Sequence, residues 1–175
     1  IRQSLLQAKS ARTVAPQNND EEELLADFQL ITSKPVLYVC NVDEASAVNG
    51  NAYVDQVREL VKDEDAQVIV LSVGAEADIT ELESYEERQV FLEDMGLSEP
   101  GSAVLIRAAY KLLQLQTYFT AGVKEVRAWT INIGDTAPKA AGVIHTDFEK
   151  GFIRAEVIAY EDFSTFGSEA KVKEA

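Results

Sequence analysis

Lys34-Pro35-Val36-Leu37-Tyr38-Val39-Cys40-Asn41-Val42-Asp43-Glu44 and, further along, Gln67-Val68-Ile69-Val70-Leu71-Ser72-Val73-Gly74 are the stretches on which the fold turns. Proline biases the residue before it away from the helical region, so Lys34-Pro35 reads as the exit from a preceding element. Val36 to Cys40 is a short β-branched and aromatic run, the pattern of a buried strand, and Gln67 to Leu71 is a second. Between them, residues 51–63 place Tyr53, Val54, Val57, Leu60 and Val61 at helical spacing. Strand, helix and strand with short connections predict a βαβ unit, with a parallel sheet and a right-handed crossover.

Working outward from that unit, residues 1–9 read as the end of an amphipathic helix. Ser10, Pro16, Asn18 and Asn19 break the pattern. Asp20 is the expected cap of a helix over 21–31, where Glu21, Glu22 and Glu23 suit the positive N-terminal end. Ser84-Tyr85-Glu86-Glu87 has the form of a capping box opening a helix to Met95, which Gly96 stops. Pro100-Gly101 predicts a turn, with Ser102 capping a helix to Leu115 whose apolar face carries Leu105, Ile106, Ala109, Leu112 and Leu113. Near Thr117 the character changes. Glu125 to Ile131 is strand-like, Gly134-Asp135-Thr136 is a turn, and Pro138 suits the first turn of a short helix. Phe152 to Tyr160 alternates apolar and polar residues and predicts a strand with one wet face. The expected division is residues 1–19 as a helical end and connector, 20–116 as one α/β domain, and 117–175 as a second, smaller domain.

The chain has 175 residues, 46% of them apolar and 26% charged, which are globular proportions. No apolar run approaches the roughly 18 residues a membrane span needs. Cys40 is the only cysteine, which excludes an internal disulfide framework and fits a reducing, cytoplasmic setting. The net charge of −14 argues against nucleic-acid binding over the whole surface but leaves room for a local basic patch. The start at Ile1 and the polar Gly167–Ala175 end lead to the expectation of a piece of a longer chain.

In open α/β sheets, ligands bind beyond the carboxyl ends of the strands. Two such ends are polar here: Asn41-Val42-Asp43-Glu44 and Ser72-Val73-Gly74. An asparagine side chain offers both donor and acceptor and suits a purine edge, and a Ser-Gly turn lets a flat ring approach. On residues alone the other reading stands beside it: Asn41 ends a strand, and Asp43 and Glu44 cap the next segment. His145 and Asp147 could be paired as a catalytic couple, but with no nucleophile or ligand cluster nearby they are better read as fixing a surface turn. Lys124, Arg127, Lys139, Lys150 and Arg154 could form a modest basic patch or be scattered solvated charges. Neither a phosphate-cradling GxxxxGK[ST] loop nor a metal-ligand cluster is visible.

The segment KPVLYVCNVDE at 34–44 resembles the stretch of YchF/Obg-like proteins that ends in their base-recognition motif. Most P-loop GTPases carry NKxD there, whose Asp accepts hydrogen bonds from guanine. Asn41, Val42, Asp43 and Glu44 instead make an NxxE pattern, a departure the family shares and that is associated with adenine over guanine. VIVLSVGAEADITEL at 68–82 resembles the family's next strand and loop, which implies that Ser72, Val73 and Gly74 line the base. LLQLQTYFTAGVKEVRAWT at 112–130 and APKAAGVIHTDFEKGFIRAEVIAY at 137–160 resemble the family's TGS domain, a β-grasp fold. The fold class implied is α/β: the C-terminal half of a P-loop NTPase sheet followed by a partial TGS domain. The function implied is that of a cytoplasmic, ribosome-associated ATPase, binding ATP rather than GTP, with Mg²⁺ held through residues upstream of Ile1. It contacts ribosomal RNA or protein by the TGS domain, is monomeric, and has no catalytic or metal-ligating residue in this chain, so that this piece alone is inactive. The alternative is a non-catalytic RNA- or ribosome-binding TGS module.

Overall fold

The computed structural model describes residues 1–64, 66–122 and 124–174. The chain divides into two compact units, Ile1–Leu115 and Gln116–Ala175.

The first unit opens with α1 (Arg2–Leu6) and a 3₁₀ turn, Ala11–Thr13. Helix α2 (Asn19–Asp27) comes next. Its cap is Asn18 rather than the expected Asp20: Asn18 has extended backbone, and the Glu21 N–H donates to its Oδ1 at 3.0 Å. The helix also stops short of Ile31, which lies in a 3₁₀ turn, Ile31–Ser33. Strand β1 is Leu37–Asn41, and α3 (Ala52–Leu60) is capped by Asn51, whose Oδ1 accepts from the N–H groups of Tyr53 and Val54. Strand β2, Gln67–Leu71, pairs with β1 in parallel, Leu37 opposite Gln67 and Asn41 opposite Leu71. The predicted βαβ unit is therefore present. Of the predicted α3 face, Val54 and the following Val61 are buried, whereas Tyr53 and Leu60 are exposed.

Two findings after β2 differ from expectation. Ser72-Val73-Gly74 is not an open turn but the start of a helix, α4 (Val73–Glu81), which Ser72 caps by accepting from the Ala75 N–H at 3.3 Å. Helix α5 (Tyr85–Asp94) has the predicted capping box, Ser84 and Glu87 each bonding the other's backbone N–H. Gly96 then reverses the chain at φ +72°, a conformation glycine adopts without strain, and the N–H groups of Gly96 and Leu97 close on the carbonyls of Glu93 and Leu92. Helix α6 (Gly101–Leu112) begins one residue before the predicted cap Ser102, and no side chain of its own sequence caps it. It packs on β1, β2 and α4. Val54, Leu71, Ala75, Ile79 and Leu92 form the centre of the core.

The N-terminal segment is tied down by polar contacts. The Ala11 N–H donates to Thr32 Oγ1 at 3.2 Å, and the Arg12 guanidinium and the Tyr38 hydroxyl both donate to Glu64 Oε2, at 2.6 and 3.0 Å. The Arg12 bond first, and the Tyr38 bond after it, hold the Glu64 carboxyl below the usual range. A depressed carboxyl favours the folded state above its unfolded pKa of about 4.3, and the benefit disappears as pH falls through the folded value. The denaturant midpoint of wild type should therefore drop faster than that of Glu64→Gln as pH falls below about 4.3. Parallel curves would remove this contact from the acid response.

The second unit holds β3 (Leu115–Ala121) and β4 (Val126–Asn132), paired through a short connection, then α7 (Ala137–Ile144), α8 (Thr146–Lys150), α9 (Tyr160–Phe166) and α10 (Glu169–Glu174). Pro138 lies in the first turn of α7, as predicted. The Tyr118 hydroxyl donates to the Ala140 carbonyl at 2.9 Å, tying β3 to α7. The predicted strand over Phe152–Tyr160 is absent: residues 152–159 join no sheet, and Tyr160 opens α9. Alternation encodes a sheet face but cannot supply a neighbouring strand. Among the described residues none pairs with this segment, and Ile153 and Val157 remain 91% and 84% exposed.

Candidate functional site

Parallel pairing in register brings the ends of β1 and β2 side by side, Asn41 opposite Leu71. The Val42 N–H continues the ladder by donating to the Leu71 carbonyl at 3.0 Å. Beyond that point the two chains part, and Asn41 bridges them: its Oδ1 accepts from the Val73 N–H at 3.0 Å. That N–H belongs to the first turn of α4, where no intrahelical acceptor is available. With its oxygen engaged there, Asn41 keeps its amide NH₂ as a donor, and the residue is exposed.

The neighbouring acidic residues have different roles. Asp43 caps the 3₁₀ turn Glu44–Ser46, its Oδ1 accepting from the Ser46 N–H at 2.9 Å. Glu44 is exposed, and its Oε1 lies 3.7 Å from where a Cβ on Gly74 would stand. Ser72 is buried and its hydroxyl is occupied in capping α4, while Val73 and Gly74 are exposed on the first turn. The structure thus brings Asn41, Val42, Glu44, Ser72, Val73 and Gly74 together at one end of the sheet. That end carries an amide donor on Asn41, a carboxylate acceptor on Glu44 and the exposed apolar side chain of Val73.

One residue of this region is invisible to motif reading. Glu76, on the first turn of α4, accepts from the backbone N–H groups of Gly101 and Ser102, the latter at 3.1 Å, and so caps α6 from another element. Only the acidic residue itself could have hinted at it.

The five basic residues singled out as a candidate patch lie on separate stretches of the second unit. Lys124 is in the β3–β4 connection. Arg127 lies on β4 with its guanidinium 4.1 Å above the Trp129 ring, and Lys139 on α7 is paired with Asp135 at 2.6 Å. Lys150 ends α8, and Arg154 comes after it in the segment without regular structure. His145 caps α8, its Nδ1 accepting from the Asp147 N–H at 3.2 Å, which is the loop-fixing role expected. Among the described residues no cluster of His, Cys, Asp and Glu could hold a metal ion, and no helix is long and apolar enough to cross a membrane.

The chain is 57% identical over 158 residues to the ribosome-binding ATPase YchF of Haemophilus influenzae, covering 89% of this chain and 43% of that protein. It is 48% identical over 177 residues to that of Bacillus subtilis, covering all of this chain and 48% of the relative. The chain belongs to the YchF/Obg-like family. The family model described as YchF-GTPase C-terminal, a protein of unknown function, matches residues 115–175. The rat Obg-like ATPase 1 is 45% identical over 172 residues, covering 97% of this chain and 43% of that protein. The solved YchF GTPase of Schizosaccharomyces pombe superposes with a TM-score of 0.83 at 32% identity, over 98% of this chain and 46% of that one. The chain therefore spans about half the length of the YchF relatives it matches. The α/β architecture expected from the sequence is the YchF architecture, with a parallel pair followed by the partial β-grasp region.

Proposed function

We propose that this chain supplies the base-reading wall of a cytoplasmic, ribosome-associated YchF-type ATPase. The observation that carries the reading is the bond from the Val73 N–H to Asn41 Oδ1, at 3.0 Å. It fixes the amide so that its NH₂ donates outward, suited to a purine ring nitrogen acceptor. Glu44 beside Gly74 offers an acceptor for an exocyclic amine, which adenine presents and which the oxygen at the same position of guanine would oppose. Val42 and Val73 provide apolar surface for the ring. The triphosphate and Mg²⁺ need a phosphate cradle, and the 175-residue sequence contains no GxxxxGK[ST] loop to supply one. On this reading the 175-residue chain alone does not hydrolyse ATP. Comparative titration with ATP and GTP is the test.

We assign the ribosome contact to the second unit. Lys139 and Arg127 already have partners, Asp135 and Trp129, so the cations best placed to meet RNA phosphate are Lys124, Lys150 and Arg154. The double reversal Lys150→Glu with Arg154→Glu should weaken ribosome co-sedimentation at low salt by about tenfold or more and flatten its salt dependence. Nucleotide affinity should stay at the wild-type value. Sedimentation indifferent both to the reversals and to salt would move the contact off this surface. It would also leave the non-catalytic RNA-binding reading without its main support.

A further inference from the structure

We infer that Glu76 is a positioning residue for the base-reading turn, holding the start of α4 in register with Asn41 by anchoring it to α6. The inference rests on the base-reading role proposed above. Its own observations lie outside the NxxE segment. Helix α6 starts at Gly101 after Pro100 and has no side-chain cap of its own. The two oxygens of Glu76 take that place, one accepting from the Gly101 N–H and the other from the Ser102 N–H. A carboxylate is the ligand a helix N-terminus favours, since unsatisfied N–H groups and the helix dipole both attract it. Gly101 allows the approach: a Cβ there would lie 2.9 Å from Leu71 Cβ and 3.1 Å from Glu76 Oε1.

The other end of the same helical turn faces the site. The Glu76 N–H donates to the Ser72 carbonyl at 3.1 Å, closing the first turn of α4 on the residues just after β2. The Val73 N–H held by Asn41 and the Gly74 backbone beside Glu44 belong to that turn. Asn41 grips it from one side and α6, through Glu76, from the other. Without the carboxylate the turn loses its hydrogen bonds to α6 and is left to the Asn41 bond, the Ser72 cap, its own backbone bond to Ser72 and the packing of Ala75, while the orphaned N–H groups of α6 must find water. The amide of Asn41 then loses its fixed direction, and base affinity falls with it.

The test titrates the full-length protein with ATP and with inorganic triphosphate, which lacks a base, for wild type, Asn41→Ala, Glu76→Ala and Glu76→Gln. Glu76→Ala should weaken ATP about threefold to tenfold, and Glu76→Gln, which keeps one acceptor oxygen, by less. Affinity for inorganic triphosphate should be unchanged in all of them. Wild-type ATP affinity in folded Glu76→Ala, beside a weakened Asn41→Ala, overturns the inference alone. Equal losses for ATP and triphosphate overturn it too, because they report general disorder rather than base positioning. If Asn41→Ala binds ATP as wild type does, the base-reading role falls and this inference with it. Should Glu76→Ala fail to fold, Glu76→Gln carries the test by the same criteria.

Discussion

Asn41→Ala in the full-length protein is expected to weaken ATP binding by about tenfold, and by more where the pocket is fully desolvated. Two bonds are lost at once. The outward NH₂ can no longer donate to the base, and the Val73 N–H at the start of α4 loses its acceptor. The base acceptor, buried once the nucleotide is bound and then left unpaired, costs about 1–3 kcal/mol, and each 1.4 kcal/mol is a factor of about ten in affinity, whereas the exposed Val73 N–H can turn to water. Asn41→Asp separates the two contributions. It keeps an acceptor for Val73 but replaces the donor with a charge, so ATP affinity should fall while thermal stability stays near wild type. Isothermal titration alongside a melting curve reads both quantities. Unchanged ATP affinity in Asn41→Ala would remove the residue from the site.

Gly101→Ala should lower stability by about 1–3 kcal/mol, against a helix-propensity gain of about 1 kcal/mol from replacing glycine with alanine. The contact decides the sign. The added Cβ would stand 2.9 Å from Leu71 Cβ, an atom fixed to the backbone of β2 that cannot rotate away. Helix α6 must shift, and the Glu76 bonds to its first turn shift with it. The denaturant midpoint should fall with the slope unchanged, the sign of a stability change within one cooperative unit. A variant as stable as wild type would mean that α6 can retreat from β2 without loss, and the tight junction would have no structural weight.

The parts of the fold that local chemistry dictates were readable from residues alone. The β-branched runs announced β1 and β2, Ser84 and Glu87 announced the capping box, and Gly96 announced the helix stop. Asn41 could be singled out because the end of a parallel strand is where α/β sheets take ligands. Helix α4 could not. Val73-Gly74-Ala75-Glu76-Ala77-Asp78-Ile79-Thr80 mixes glycine, aspartate and β-branched residues of poor helix propensity, and it reads as a loop. Its helix is secured by a buried serine cap and by a carboxylate whose partners lie 25 and 26 residues away. Such long-range pairing leaves no local trace. The same limit applies in reverse at Phe152–Tyr160, where a strand-like alternation has no neighbouring strand among the described residues. Asn18 displaced Asp20 as a cap because both suit the role, and only backbone geometry chooses between them.

The claim that this sheet end reads adenine is tested most directly by titrating the full-length wild-type protein with ATP and GTP analogues under identical salt and Mg²⁺. ATP should be the tighter ligand by about tenfold or more, the cost of one mismatched buried polar contact. The preference should collapse in Glu44→Gln, whose amide can donate to the guanine oxygen. Equal or tighter GTP binding by wild type would contradict adenine reading at this site.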